Sequence, residues 1–404
     1  MAQIWIINQY ASTPETGMAG RHHCFAENLA KAGHDVSVIA ADWHHLLHQT
    51  YEAGRAPKER IYGYDFVRIK LLSYPQAHDF RRIINWFLFS HKLAGLPARL
   101  NKKPDAILYS SPALIGWAGA KKLADKLGAR LIFEVRDIWP LSLTKLGNIS
   151  PRNPIIRYMK KIEHRAYKES DAIISNLPGT IKHIEQLGLE PSHFTWIPNG
   201  ISLHDVTNPS SLPANIDAAL SPKKFIAGYA GTFGEANALD TIIDAAGLLK
   251  AQGDIAFLLV GEGRRKAEIT QMISQRGLKN VTLLDAVSKA SMPSLLARFD
   301  VCLLNWHDAN IYRFGTSANK MFEYLHSGRP IVHGYSGFHD YVKIHNAGLS
   351  VPAGDAKAFA EAILKMSRLS KKERQEFGQN GKSAVIEHYN YEILSRKLEG
   401  IIDQ

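Results

Sequence analysis

Short apolar runs of strand length alternate with amphipathic stretches of helix length along this chain, and the alternation starts afresh after one break. Strands buried on both faces read as continuous apolar runs, so this pattern points to parallel sheets covered by helices. Ile4 to Ile7 is such a run. Gly17-Met18-Ala19-Gly20 then opens a helix to about Lys31, and Val36 to Ala40 is the next strand. Trp43 to Gly63 reads as a polar loop and Phe66 to Leu72 as a strand. Further strands are expected at 104–109, 130–135, 171–175 and 194–197, with helices at 113–127, 158–170 and 179–187. His204 to Lys224, with Pro209, Pro213 and Pro222 among Ser and Asn, has the composition of a linker. Phe225 to Ala230 restarts the series. The expectation is two doubly wound α/β domains, residues 1–204 and 205–386, with a C-terminal helix at about 387–404 crossing back to the first. The first glycine turn lacks the Gly-x-Gly-x-x-Gly spacing of dinucleotide sites.

Glycine loops follow two strands of the second half: Gly231-Thr232-Phe233-Gly234 and Gly261-Glu262-Gly263-Arg264-Arg265. A third loop, Phe314-Gly315, precedes a helix expected from Ala318 to Ser327, with Thr316 or Ser317 as N-cap and Gly328 as stop. Glycine loops at the carboxyl edge of a parallel sheet, one feeding a helix N-terminus, make an anion site. Lys320 stands in the first turn, where the helix dipole disfavours a cation, so an anionic partner would account for it. Glu323 lies on the same face and could accept from a sugar diol. An ordinary amphipathic helix with a solvated lysine stays open as the plainer reading.

The formal net charge of +11 calls for an anionic partner such as nucleic acid, a membrane surface or a phosphorylated substrate. His78 to Lys103 concentrates cations, Arg81, Arg82 and Lys92 among them, with Trp86, Phe87 and other large apolar groups. It reads as an interfacial membrane helix or as a core helix with a basic outer side. Arg136-Asp137-Ile138-Trp139-Pro140 follows a strand, at the end where ligands sit in such sheets; a buried Arg–Asp pair is the alternative. Cys24 and Cys302 give no disulfide framework, and the paired histidines lack metal-ligand spacing. No run of about 18 apolar residues is present, and 3–8 is too short for a signal or anchor.

The stretch Gly315-x-Ser317-x-Asn319-Lys320-x-x-Glu323-Tyr324 resembles the signature of the retaining glycosyltransferases of family 4. It is closest to the bacterial O-antigen and capsule branch that includes the L-fucosamine (N-acetyl-fucosamine) transferases. Arg-Asp-x-Trp-Pro at 136–140 and the Gly17 loop resemble the same branch. Glu323 matches the second Glu of the family's Glu-x7-Glu motif; the first falls on Gly315 and is absent. The resemblance implies a GT-B fold, two Rossmann-like domains facing across a cleft, the first binding acceptor and the second the donor. It implies transfer of a sugar, N-acetyl-L-fucosamine or another hexosamine, from a nucleotide-diphosphate donor, most simply UDP-linked, to a polyprenyl-diphosphate-linked saccharide. It further implies donor contacts from Gly17, Thr232, Gly234, Arg264, Val287, Gly315, Thr316, Ser317, Asn319, Lys320 and Glu323, and catalytic roles for Arg136, Asp137 and Lys320. Arg81, Arg82, Trp86, Phe87 and Lys92 would face the acceptor and the cytoplasmic leaflet, placing the protein peripherally on the inner face of the plasma membrane. The donor is a substrate, so no cofactor is expected. The chain has no Asp-x-Asp, so no metal is expected on the diphosphate. A nucleotide-sugar 2-epimerase of the same fold is the first rival. A basic nucleic-acid binder is the second, although no helix-turn-helix, ribonucleoprotein or zinc pattern is present.

Overall fold

The expected strands form, buried on both faces except at two sheet edges, where 194–196 and 281–284 are only partly buried. The computed structural model describes residues 1–48, 56–76, 79–190, 193–220 and 224–404. His78 and Pro222 lie outside them. The chain divides into two units, Met1–Pro198 with Tyr391–Gln404, and Asn199–Asn390.

The first unit holds eight strands: β1 (Gln3–Ile7), β2 (Asp35–Ala41), β3 (Lys58–Ile61), β4 (Tyr64–Ile69), β5 (Ala106–Ser110), β6 (Arg130–Val135), β7 (Ala172–Ser175) and β8 (Phe194–Trp196). Their order in the sheet is β3-β4-β2-β1-β5-β6-β7-β8. All pairs are parallel except β3–β4, a hairpin turned by Tyr62 and Gly63 at positive φ. That hairpin corrects the reading of 43–63 as a loop. Lys-Glu-Arg-Ile is a half-exposed edge strand, so it carries no apolar run. The chain leaves β1 toward β2 on one side and β5 on the other, which opens a ligand crevice at the carboxyl ends of these strands.

The helix Tyr391–Ile402 belongs to this unit. Tyr391, Leu394, Leu398, Ile401 and Ile402 share a core with Phe25, Leu29 and Val36, and Phe25 meets Tyr391 edge to face at 5.6 Å. His34, in the turn between the helix Gly20–Lys31 and β2, meets Glu399 at 2.8 Å. The C-terminal helix expected at about 387–404 runs Tyr391–Ile402, preceded by the helix Lys371–His388.

The second unit holds β9 (Phe225–Ala230), β10 (Ile255–Val260), β11 (Val281–Leu284), β12 (Val301–Asn305), β13 (Ile331–Gly334) and β14 (Gly348–Val351). They form an all-parallel sheet in the order β11-β10-β9-β12-β13-β14. The switch point lies between β9 and β12. Its core is Tyr229, Phe233, Leu239, Ile243, Phe257, Leu259, Leu303 and Phe359 with their neighbours. The expected linker contains two short helices, Leu203–Thr207 and Ala214–Ala219. Among the described residues, no helix is long and apolar enough to cross a membrane.

Candidate active site

The carboxyl edge of the second sheet gathers the glycine loops. A Cβ on Gly261 would lie 1.9 Å from the Gly231 carbonyl oxygen, and one on Gly263 would lie 2.3 Å from that of Phe233. The loops after β9 and β10 therefore pack backbone to backbone, joined where the Phe233 N–H donates to the Glu262 carbonyl at 2.7 Å. No other residue fits at these two positions.

The helix of the third loop runs Asn319–His326. Gly315 enters it at φ 91°, a conformation favouring glycine. The expected capping is corrected: no side chain caps this helix, and Ala318 stands at the N-cap. The Ser317 hydroxyl instead accepts from the Asn199 N–H at 2.8 Å, and its carbonyl accepts from the Asn199 amide at 2.6 Å. Thr316 and Ser317 are both buried. The first-turn N–H groups, beginning at exposed Asn319, are left without a side-chain acceptor, which suits an anionic ligand.

Tyr324 pins the helix to β9. Its hydroxyl accepts from the Ala230 N–H at 2.8 Å and donates to the Ala230 carbonyl at 2.9 Å. One turn earlier, Lys320 is thereby aimed at Gly231. Its ammonium donates to the Tyr229 hydroxyl at 2.8 Å and to Asn237 Oδ1 at 2.6 Å. Tyr229 and the Asn237 amide in turn both donate to the Thr232 carbonyl at 2.8 Å. The four residues close a ring of hydrogen bonds whose only charge is the ammonium. Burial pushes the Lys320 pKa down to about 8; Glu323 pulls against this without forming an ion pair. Glu323 is half-buried, and burial pushes its carboxyl up against the pull of Lys289 and Lys320. An ammonium solvated by neutral acceptors beside open backbone N–H groups is an incomplete charge arrangement, and a phosphate oxygen would complete it.

Other expected donor residues lie on the same edge. Thr232 is exposed and Gly234 half-buried. Arg264 is exposed, whereas Arg265 beside it is buried against Asp240 and Glu268, which hold its guanidinium protonated. Val287 follows the end of β11, and Asp285 there takes the Lys266 ammonium.

In the first unit, Gly17 lies against Ser12, where a Cβ would sit 2.6 Å from the hydroxyl. Arg136 is half-buried and Asp137 exposed, both directly after β6. No ion pair joins them, so the alternative of a buried Arg–Asp pair is not what forms. The Arg136 N–H donates to Ser111 Oγ at 2.8 Å, and its Nε is buried without a partner. The buried ion pair is one residue pair the sequence reading passed over. Glu134, wholly buried, accepts from Arg21 Nε at 2.6 Å and from Ser110 Oγ at 2.5 Å. His22 meets the same Ser110 at 2.8 Å. Arg21 also donates to the carbonyls of Ile197 and Pro198, at 2.7 and 2.5 Å. An acid inside the apolar run Arg-Leu-Ile-Phe-Glu-Val was the available signal.

The basic-aromatic stretch is the helix Arg81–Lys92 and a shorter one, Leu96–Leu100. Its Trp86 is a correction. The ring is buried, donates to the Tyr10 hydroxyl at 2.8 Å and meets Trp139 edge to face at 5.5 Å, so it does not face lipid. Arg82 is folded inward, over Tyr10, Trp86 and Trp139. Arg81 is held by Asp79 at 2.7 Å, and Lys92 donates to the Lys70 carbonyl at 2.7 Å. Phe87 is exposed. Among the described residues, no three His, Cys, Asp or Glu side chains are grouped to hold a metal ion.

Residues 17–205 match the family described as Glycosyltransferase Family 4, and residues 224–368 match Glycosyl transferases group 1. A protein of Escherichia coli (strain K12) named as a colanic acid biosynthesis glycosyl transferase, WcaI, is 26% identical over 305 residues, 72% of this chain and 74% of its own. Among solved structures, sucrose-phosphate synthase from Thermosynechococcus elongatus superposes with a TM-score of 0.75 at 16% identity, covering 100% of this chain and 99% of its own. HepE from Anabaena, in complex with UDP-glucose, gives 0.68 at 14% identity with both chains covered at 100%. The two Rossmann-like units thus form a GT-B fold.

Proposed function

Two glycosyltransferase family models together match most of the chain, and from that premise we propose a specific reaction on a nucleotide sugar. A hexose-type sugar, N-acetyl-L-fucosamine or another hexosamine, moves with retention from a UDP-linked donor to a polyprenyl-diphosphate-linked saccharide, in the synthesis of a bacterial surface polysaccharide. The observation that carries the donor half is the Lys320 ammonium, held by neutral groups among the glycine loops. The UDP-glucose bound to HepE and the colanic acid step in the name of WcaI support donor and pathway class. The acceptor half implies a cytoplasmic enzyme docked peripherally on the inner leaflet.

In this reading the second unit, Asn199–Asn390, binds the donor. Backbone N–H groups at Thr316 to Asn319, Lys320 and Arg264 neutralise the leaving diphosphate, which is electrostatic catalysis. The bond from the anomeric carbon to the phosphate oxygen breaks while the acceptor oxygen attacks from the same side. The leaving phosphate takes the acceptor's proton. Thr232, Gly234, Gly315, Thr316 and Ser317 line the phosphates and Val287 lies by the base, while Gly17, Arg136 and Asp137 keep the roles that the family resemblance implies for them.

The test is incubation with UDP-, GDP- and dTDP-sugars and a polyprenyl-diphosphate-linked acceptor. Lipid-linked product from a UDP-sugar alone is the expected result; a soluble epimerised sugar would point to the rival enzyme instead. The same assay run in EDTA should proceed at an unchanged rate. Loss of turnover, restored by Mg²⁺ or Mn²⁺, would show that protein groups do not carry the phosphate charge.

Glu323 is assigned to the donor ribose. Glu323→Ala should weaken UDP binding by roughly 1–3 kcal/mol, the cost of a lost charged acceptor, and leave stability nearly unchanged. Calorimetric titration with UDP checks it, and an unaltered affinity would remove Glu323 from the site.

A further inference from the structure

The helix Pro154–Glu169 carries a face for which the reaction above has no use. Asn153 caps it and Pro154 stands at its first position. Ile156, Met159, Ile162, Ala166 and Tyr167 turn inward. Arg157, Lys160, Lys161, His164, Arg165 and Lys168 are all exposed. Its two acids do not neutralise them all: Glu163 is buried on His183 at 2.8 Å, and Glu169 is hydrogen-bonded to Arg165. Among the described residues, no carboxylate lies within ion-pair distance of Arg157, Lys160, Lys161 or Lys168.

Next to this stripe runs an apolar ridge. Tyr158 stacks on Phe87 of the neighbouring helix, centroids 5.8 Å apart and planes 22° apart. Both rings are open to solvent, at 41% and 44%, and Ile84 and Phe80 extend the ridge at 40% and 69%. Large apolar side chains do not stay bare beside a cationic stripe without a partner that has both an oily and an anionic layer. A nucleic acid supplies the charge but offers nothing to Ile84, which has no ring to stack.

We propose that this two-helix face seats the protein on an anionic lipid leaflet, with Lys160, Lys161 and Lys168 supplying the charge and Phe80, Ile84, Phe87 and Tyr158 the shallow insertion. The cations of the Arg81–Lys92 helix do not supply it, because Arg81 is spent on Asp79, Arg82 on three rings and Lys92 on a carbonyl. The proposal rests on the lipid-linked acceptor reading and deepens it.

The experiment is co-sedimentation of the full chain with phosphatidylglycerol-containing and pure phosphatidylcholine vesicles at low salt. Wild type should bind the former only. Lys160→Glu with Lys161→Glu and Lys168→Glu should weaken that binding by about 100-fold, since each near-surface cation acts separately. Arg81→Glu with Lys92→Glu should change it by less than about threefold, and Phe87→Ser with Tyr158→Ser should weaken it even at low salt. UDP affinity and melting temperature, measured on every variant, should match wild type. Release by the Arg81/Lys92 pair while the triple variant stays bound would overturn the assignment of charge and leave the membrane reading standing. Wild type that ignores anionic vesicles, or prefers a duplex oligonucleotide to them, would overturn the proposal. Turnover of the polyprenyl-linked acceptor in detergent would still show whether the acceptor reading holds.

Discussion

Lys320→Met should weaken UDP binding by about 1.5–3 kcal/mol, roughly ten- to hundredfold, the worth of a hydrogen bond between charged groups. Turnover should fall further, because the charge on the diphosphate grows as the sugar departs. Binding of uridine, which lacks phosphate, should not change. The pH dependence is the sharper test. UDP needs the ammonium, and burial sets its pKa at about 8. Wild-type affinity should fall as pH rises through that value, and the Met variant should be flat there. Stability should move the other way. The unfolded chain holds this proton more tightly than the folded one, so between pH 8 and the ordinary lysine value folding is favoured by rising pH. The Met variant should therefore not melt below wild type at pH 7. Calorimetric titration across pH 6.5 to 9.5, beside melting curves, reads both; a wild-type affinity indifferent to pH would take Lys320 off the diphosphate.

The largest loss of stability is expected at Glu134, far from that lysine in sequence. Arg21 and Glu134 are both fully enclosed. Removing the carboxylate strands the guanidinium, and such a break costs about 3–5 kcal/mol. Glu134→Ala should lower the urea midpoint of the first unit's transition accordingly. Arg21→Met combined with Glu134→Leu should recover part of the loss, since no unpaired charge remains. Coulombic attraction to Arg21 and the bond with His22 overcome burial and hold the Glu134 carboxyl well below its ordinary range. Its contribution is therefore present at neutral pH and disappears only in strong acid. A midpoint unaltered in Glu134→Ala would show that water replaces the carboxylate at no cost.

The parallel strands were legible because Val38, Ile39, Leu108 and Leu259 are buried whichever face they point to, so pattern and burial coincide. Edge strand β3 was not, because its hydrogen-bond partner defines it and Lys-Glu-Arg-Ile is soluble on its own. Gly315, Lys320 and Glu323 could be singled out from local chemistry. The ring that holds Lys320 could not, since Tyr229 and Asn237 reach it from about 80–90 positions away. Ser317 looks like a helix cap until Asn199 claims it. Trp86 is turned inward by Tyr10 and Trp139, which no window around residue 86 contains. The basic face of Pro154–Glu169 is interleaved with apolar positions and emerges as one stripe only when wound at helical pitch.

The placement of Tyr391–Ile402 in the first unit sets an order of events at the ribosome. Residues 1–198 emerge first, yet the groove beside Phe25 and Leu29 stays open until Tyr391, Leu394 and Leu398 are made. At ordinary synthesis speeds of about 5–20 residues per second, the intervening 192 residues (199–390) delay that closure by roughly 10–40 s. During that interval the second unit, a single continuous stretch of chain, is synthesised whole. The domain born first is thus the one finished last, and a nascent chain stalled before residue 391 exposes an oily furrow that a holdase would occupy.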